Sequence, residues 1–173
     1  MRSRLLAETR RLTLEYGVVP SLNTVAEAAG VSKGGLIHHF PTRAALVDGL
    51  AREALREIDD AMEAAAASGH AAAAWLRLAV PTGDEVELFR AMAVAHRAIE
   101  APGTDTVTAA SAATVRWEQL IADEVGDPLL ARIIRLVGDG LALNALTGVP
   151  AAVDAADVRQ VTDWLLAERS SRS

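Results

Sequence analysis

The chain has 173 residues, 51% of them apolar, which is enough to bury one large core or two small ones. It contains no cysteine, which excludes disulfides, thiolate catalysis and Cys-based zinc sites. The net charge of −6 is unevenly spread: residues 1–47 carry six Lys or Arg (Arg2, Arg4, Arg10, Arg11, Lys33, Arg43) against three acids (Glu8, Glu15, Glu27), whereas residues 48–173 carry eleven against twenty. A basic head on an acidic body suits contact with a polyanion at one end only. No apolar run reaches the ~18 residues of a membrane span, and charged helix follows Met1 where a signal peptide would be apolar. The expectation is a soluble cytoplasmic protein with no membrane association.

In chain order, the spacing of Leu5, Leu12 and Tyr16 predicts a first helix from Arg2 to Tyr16, stopped at Gly17. Arg2 and Arg4 read as a solvated helix end in preference to phosphate contacts. After Val18-Val19-Pro20, Ser21 can cap a short helix with Val25, Ala26 and Ala29 on one face, Gly30 can end it at positive φ, and Ser32 can cap the next. Two short helices joined by a tight glycine turn read as a helix-turn-helix. The second, from about Lys33 to His39, would enter a DNA major groove. Lys33 offers a cation, His38 and His39 offer ring N–H groups, and Leu36 and Phe40 face inward. Gly34 and Gly35 weaken the helix by roughly 1 kcal/mol each against alanine and suit close approach of the main chain to phosphate. On spacing alone, a helical hairpin buried in some other all-α protein is the alternative.

Thr42 can cap a long helix to about Ala67, with Leu46, Leu50, Ala54, Ile58 and Met62 in one stripe, roughly 40 Å at ~1.5 Å per residue. Ser68-Gly69-His70 breaks it, and a helix through Trp75, Leu76, Leu78 and Val80 stops at Pro81. Thr82 to Glu85 has the form of a capping box for a helix to about Glu100 carrying Phe89, Met92, Ala93 and His96. A loop is predicted over residues 101–106, then a helix through Val107, Val115, Trp117, Leu120 and Ile121 to Gly126. Asp127-Pro128 opens a helix to about Leu146 that is apolar nearly all round: Leu129, Leu130, Ile133, Ile134, Val137, Leu141 and Leu143. Such a helix must be covered on most sides, and Gly138 and Gly140 allow a neighbour to approach. A break over Thr147–Pro150, a cap at Asp154, a helix with Val158, Val161, Trp164 and Leu165, and a polar tail over Ser170–Ser173 complete the chain.

Ala26 to Ser32 (AEAAGVS), followed by Lys33, Gly34, Leu36 and His38-His39-Phe40-Pro41, resembles the DNA-binding domain of the TetR family of bacterial regulators. The first helix ending at Gly17 and the run Thr42-Arg43-Ala44-Ala45-Leu46 extend the resemblance to about the first 50 residues. It implies an all-α fold: a three-helix N-terminal helix-turn-helix domain (1–47) joined by a long helix to a helical ligand-binding and dimerisation domain (48–173). It also implies DNA contacts from Ser32, Lys33, Gly34, Gly35, Ile37, His38, His39 and Arg43. The chain departs from the pattern at Gly35, where the family often has Thr, and at Ile37, where it often has Tyr. Both usual residues tend to contact the DNA backbone.

The resemblance further implies a homodimer through the last two helices (about 128–146 and 155–169), with double-stranded DNA and a small-molecule effector as partners. Two heads can then read both half-sites of a palindrome, about 34–36 Å apart. The alternative is that these helices complete a monomeric core. Trp75, Phe89, Met92, His96, Trp117 and Asn144 are the bulky or polar side chains available to line an effector pocket, although each of the first five reads individually as plain core. Asp139 and Asn144, set in an apolar helix, suit a ligand or a dimer contact. A ligand preferring one arrangement of the long helix would shift the DNA-binding population, repression being the default.

An enzyme is disfavoured. The pairs Asp59-Asp60 and Asp123-Glu124 read as solvated faces, and His38, His39, His70 and His96 form no i,i+4 metal pair. No phosphate loop or nucleophile elbow is present, and no cofactor is expected. A dimeric ligand-binding protein with weak or lost DNA affinity remains the second reading, motivated by Gly35 and Ile37.

Overall fold

The structure is a computed structural model that describes residues 1–80, 83–97, 104–147 and 155–171. Among these residues the chain forms nine helices and no strand: α1 (Arg2–Tyr16), α2 (Leu22–Ala28), α3 (Lys33–His39), α4 (Arg43–Ala66), α5 (Ala71–Leu78), α6 (Asp84–Arg97), α7 (Thr104–Val125), α8 (Pro128–Thr147) and α9 (Ala155–Ser171). None of them is long and apolar enough to cross a membrane. The expected roles of Pro81, Thr82 and Asp154, and the break beyond Thr147, lie outside the described residues.

Local chemistry sets the helix ends. Ser21, Ser32 and Thr42 each accept a backbone N–H three residues on, from Thr24 (3.2 Å), Gly35 (3.1 Å) and Ala45 (3.0 Å). Asp127 Oδ1 accepts from Leu129 and Leu130 (2.8 and 3.2 Å), with Pro128 in the first turn. Each cap satisfies a helix-end donor and contributes about 1 kcal/mol. Gly30 takes φ 64°, which lets α2 turn into α3 within a few residues. Two boundaries differ from expectation. α7 starts at Thr104, inside the predicted loop, and α9 continues through Ser170 and Ser171, in the predicted polar tail.

The chain divides into two compact units, Met1–Ala54 with Gly83–Ala109, and Leu55–Thr82 with Ala110–Ser173. In the first, Leu5, Leu6 and Leu12 of α1 pack with Val25 and Ala26 of α2, Leu36 of α3, Phe40, and Leu46, Val47 and Leu50 of α4. Leu88 and Met92 of α6 join the same core. The compact unit thus takes in more chain than 1–47, because α6 buries its apolar face on the head instead of with the other body helices. The inward-facing Leu36 and Phe40 are completely buried, as expected. Thr9 and Thr13 are buried too, each hydroxyl donating to the carbonyl four residues back, Leu5 and Thr9. That satisfies a group whose burial would otherwise be costly.

The second unit is built on Met62, the Ala-rich face and Trp75 of α5, Ala113, Trp117 and Ile121 of α7, Leu130, Ala131 and Ile134 of α8, and Val158 and Leu165 of α9. Gly138 of α8 lies under the Trp75 indole: a Cβ there would stand 2.1 Å from Trp75 Nε1. The neighbour this glycine admits is α5. At Gly140 a Cβ would meet nothing within 4 Å. Among the described residues α8 is covered on one side only, since Leu129, Ile133, Leu136 and Leu143 are 59, 41, 53 and 60% exposed.

Candidate nucleic-acid interface

The outer face of α3 is held in place by its inner one. At 100° per residue, Leu36 and Phe40 point into the core, Gly34 and His38 stand opposite them, and Gly35 and Ile37 flank that line. Lys33, Gly34, Gly35, Ile37 and His38 are exposed accordingly. His39 is half-buried, its ring centroid 5.4 Å from that of His38 and edge-on to it. It lines a hollow of about 380 Å³ together with Met1, Leu5, Val31, Ser32, Gly35 and His38. Ser32 is exposed at the helix start, with its hydroxyl already accepting from Gly35 N. All eight expected DNA-contacting residues lie in the first unit, and seven of them lie at or on α3.

Arg43, the eighth, sits in the first turn of α4 and donates Nη2 to the Val19 carbonyl at 2.7 Å. Its side chain ties the α1–α2 link to α4, and the guanidinium keeps further N–H groups for another acceptor. Other arginines of the head also brace it. Arg4 Nη2 donates to Ala29 O at 2.6 Å, at the end of α2, and the Arg2 guanidinium lies 4.9 Å from the centre of the Phe40 ring. Arg2 and Arg4 are exposed at the helix end, as expected, and in addition both hold α1 against the helix-turn-helix. Arg11 bridges Glu8 (2.6 Å) and Glu15 (2.7 Å) on the outer side of α1. The hydrogen bond from Arg11 holds the Glu8 carboxyl below its ordinary value, and the same bond raises Arg11. Much of the positive charge in residues 1–47 thus has a structural task.

The candidate effector residues separate between the units. Phe89 and Met92 of α6 are in the first, Met92 within its core. Trp75, Trp117 and Asn144 are in the second. The indoles of Trp75 and Trp117 pack with centroids 5.4 Å apart. Trp75 Nε1 donates to Arg135 O (3.1 Å) and Trp117 Nε1 to Asp59 Oδ1 (2.7 Å). Asn144 is half-buried on α8, and the His96 side chain lies outside the described residues.

Asp59 corrects the sequence reading of the Asp59-Asp60 pair as a solvated face. Its side chain is 23% exposed, and its other oxygen accepts from Arg116 at 2.5 Å. Glu124 likewise accepts from the backbone N–H of Ala72 at 3.0 Å, capping α5 in place of the non-bonding His70. Asp139 accepts from Arg135, which also donates to Glu118 at 2.6 Å. That bond, assisted by Arg132, keeps the Glu118 carboxyl below its ordinary value against the opposing effect of burial. The buried indole N–H groups were the available signal for Asp59, since a buried tryptophan needs an acceptor. Among the described residues no group of three or more His, Asp or Glu could hold a metal ion.

Comparison with known proteins agrees with this geometry. Residues 5–50, which span the helix-turn-helix head, match the bacterial regulatory proteins of the tetR family. Residues 69–168 match the tetracyclin repressor-like C-terminal domain. No curated protein matches the chain. With both of its halves matched, and a recognition helix held outward by a buried Leu36 and Phe40, the chain belongs to the TetR family and is a transcriptional regulator with an N-terminal DNA-binding domain.

Proposed function

We propose that the protein is a ligand-responsive repressor that binds a palindromic operator as a homodimer and is released by a small molecule bound in its C-terminal domain. Residues 1–47 are the DNA-binding part, with Ser32, Lys33, Gly34, Gly35, Ile37, His38, His39 and Arg43 at the DNA. Residues 48–173 hold the effector and the dimer interface. The observation that carries the reading is the outer side of α3: two bare glycines and a histidine exposed together, with Lys33 exposed at the start of the helix and Leu36 buried beneath. Its length and width suit a major groove.

The apolar residues left outside on α8 support the dimer. Leu129, Ile133, Leu136 and Leu143 recur at intervals of four, three and seven and so share one stripe. Gly140 falls in that stripe with open space above it, which permits close helix approach. On α9, Val161 and Trp164 are also exposed, Trp164 by 64%. Apolar rows of this kind mark association surfaces, and two helices from each protomer form a four-helix bundle.

Helix α4 supplies residues to both units, so a ligand with unequal affinity for two arrangements of α4 would shift the DNA-competent population. The effector candidates of the second unit are Trp75, Trp117 and Asn144, and the protein acts in the cytoplasm without catalysis or a cofactor.

Selection of duplexes from a random pool, at two salt concentrations and with His38→Ala in parallel, tests the reading. A palindrome that survives competitor DNA, weakens with His38→Ala and loses affinity steeply with salt is expected. No enrichment at low salt, in the absence of added ligand, would sink the active-repressor reading. It would favour the second one, a dimeric ligand-binding protein whose α3 has lost DNA affinity.

A further inference from the structure

We propose that Ile37 is a specificity-determining residue that reads thymine through its C5-methyl group. The proposal rests on the DNA-binding reading above and names the base class that α3 selects. Ile37 is 38% exposed on a helix whose buried side is filled by Leu36 and Phe40, so the fold makes limited use of its side chain. Its sec-butyl group has no donor, so it cannot hold a phosphate oxygen. On the floor of the major groove the apolar feature available to it is the thymine methyl, since the other base-edge groups there are hydrogen-bond donors and acceptors.

The neighbouring positions leave that contact open. Gly34 lies one turn before Ile37, and a Cβ built there would meet nothing within 4 Å. Gly35 is exposed as well, and a Cβ there would meet only Ser32 Oγ, at 3.3 Å. With no side chain at either position, the first turn of α3 can come close to the bases, and Ile37 is the first exposed apolar group beyond it. Burying one methyl against a side chain is worth about fourfold in affinity. His38, beside it, offers a hydrogen-bonding ring to a different feature of the groove.

The test uses the duplex recovered in the selection above. Each thymine is replaced in turn by deoxyuridine, which removes only the methyl group, and affinity is measured for the native protein, Ile37→Val, Ile37→Ala and His38→Ala. The expected result is one thymine per half-site whose replacement weakens the native protein about fourfold. That penalty persists in Ile37→Val and His38→Ala and vanishes in Ile37→Ala. Ile37 is outside the core, and circular dichroism checks that its variants keep the helical fold. Equal penalties in the native protein and Ile37→Ala, or a selected half-site without a thymine, would overturn the assignment while leaving the regulator reading intact. Failure to recover any duplex would overturn both.

Discussion

The outer faces of α3 and α8 both leave apolar side chains outside the chain's own cores, but in different company. On α3 a single isoleucine stands among glycines, a lysine and histidines. On α8 four large aliphatic residues line up along about four turns, with a glycine in the row. An isolated apolar group in a polar setting fits a polar partner with occasional methyl groups, whereas a continuous row fits another apolar helix. Exposure alone does not separate the two surfaces; the pattern around the exposed residue does.

The most severe way to break this comparison is a charge in the α8 row. If the proposed dimer forms through α8, Leu136→Glu places two carboxylates in its twofold interface and is expected to weaken it by at least ~100-fold, since burying an unpaired charge is so costly. Sedimentation at several concentrations reads this directly, and an unchanged dimer mass would move the interface elsewhere.

The two glycines of α8 sharpen the contrast within one helix. Gly138→Ala must displace the Trp75 indole, which Trp75 Nε1 anchors to Arg135 O, and is expected to cost about 2 kcal/mol of stability in urea unfolding. Gly140→Ala meets nothing among the described residues and should stabilise the isolated protomer by up to ~1 kcal/mol while weakening the proposed dimer. If both substitutions acted alike on the protomer, the distinction between an inner and an outer face would be wrong.

On α3, Lys33→Ala should lower affinity for every duplex by a similar factor, about 1 kcal/mol, and reduce the slope of log affinity against log salt by roughly one unit. A loss confined to particular sequences would place Lys33 at a base edge instead.

The smallest effect concerns Glu118. Its carboxyl is held below the ordinary value of 4.5, chiefly by the hydrogen bond from Arg135. A depressed folded value means that the contribution is complete above the unfolded pKa and is lost as pH falls through the folded one. Glu118→Gln should therefore leave a shallower acid limb below about pH 4.5 and little else. An equal loss of stability in the native protein and the variant down to the acid transition would show that the bond contributes nothing measurable.

Helix ends were readable because a cap is a contact over three residues or fewer. Ser21, Ser32, Thr42 and Asp127 name their own acceptor roles, and Gly17, Gly30 and Gly126 take the positive φ that ends a helix. The α3 face was readable for the same reason, since a buried Leu36 and Phe40 dictate which residues point out. The bracing contacts of the arginines were not readable because their acceptors are remote: Arg4 reaches a carbonyl 25 residues away and Arg43 one 24 residues away. A carbonyl exists at every residue and leaves no trace in the sequence.

By itself, then, the chain's order of residues determined the nine helical segments, the helix-turn-helix and the charge division, because these follow from periodicity, caps and glycine conformations within a turn or two. Tertiary structure decided which apolar faces the chain covers with its own helices. It assigned α6 to the head, set Trp75 over Gly138, paired Trp117 with Asp59 across 58 residues of sequence, and left one side of α8 uncovered among the described residues. Those outcomes depend on how helices compete for one another's apolar surfaces. That competition is settled by shape and total burial across the chain, and no short stretch of it contains the answer.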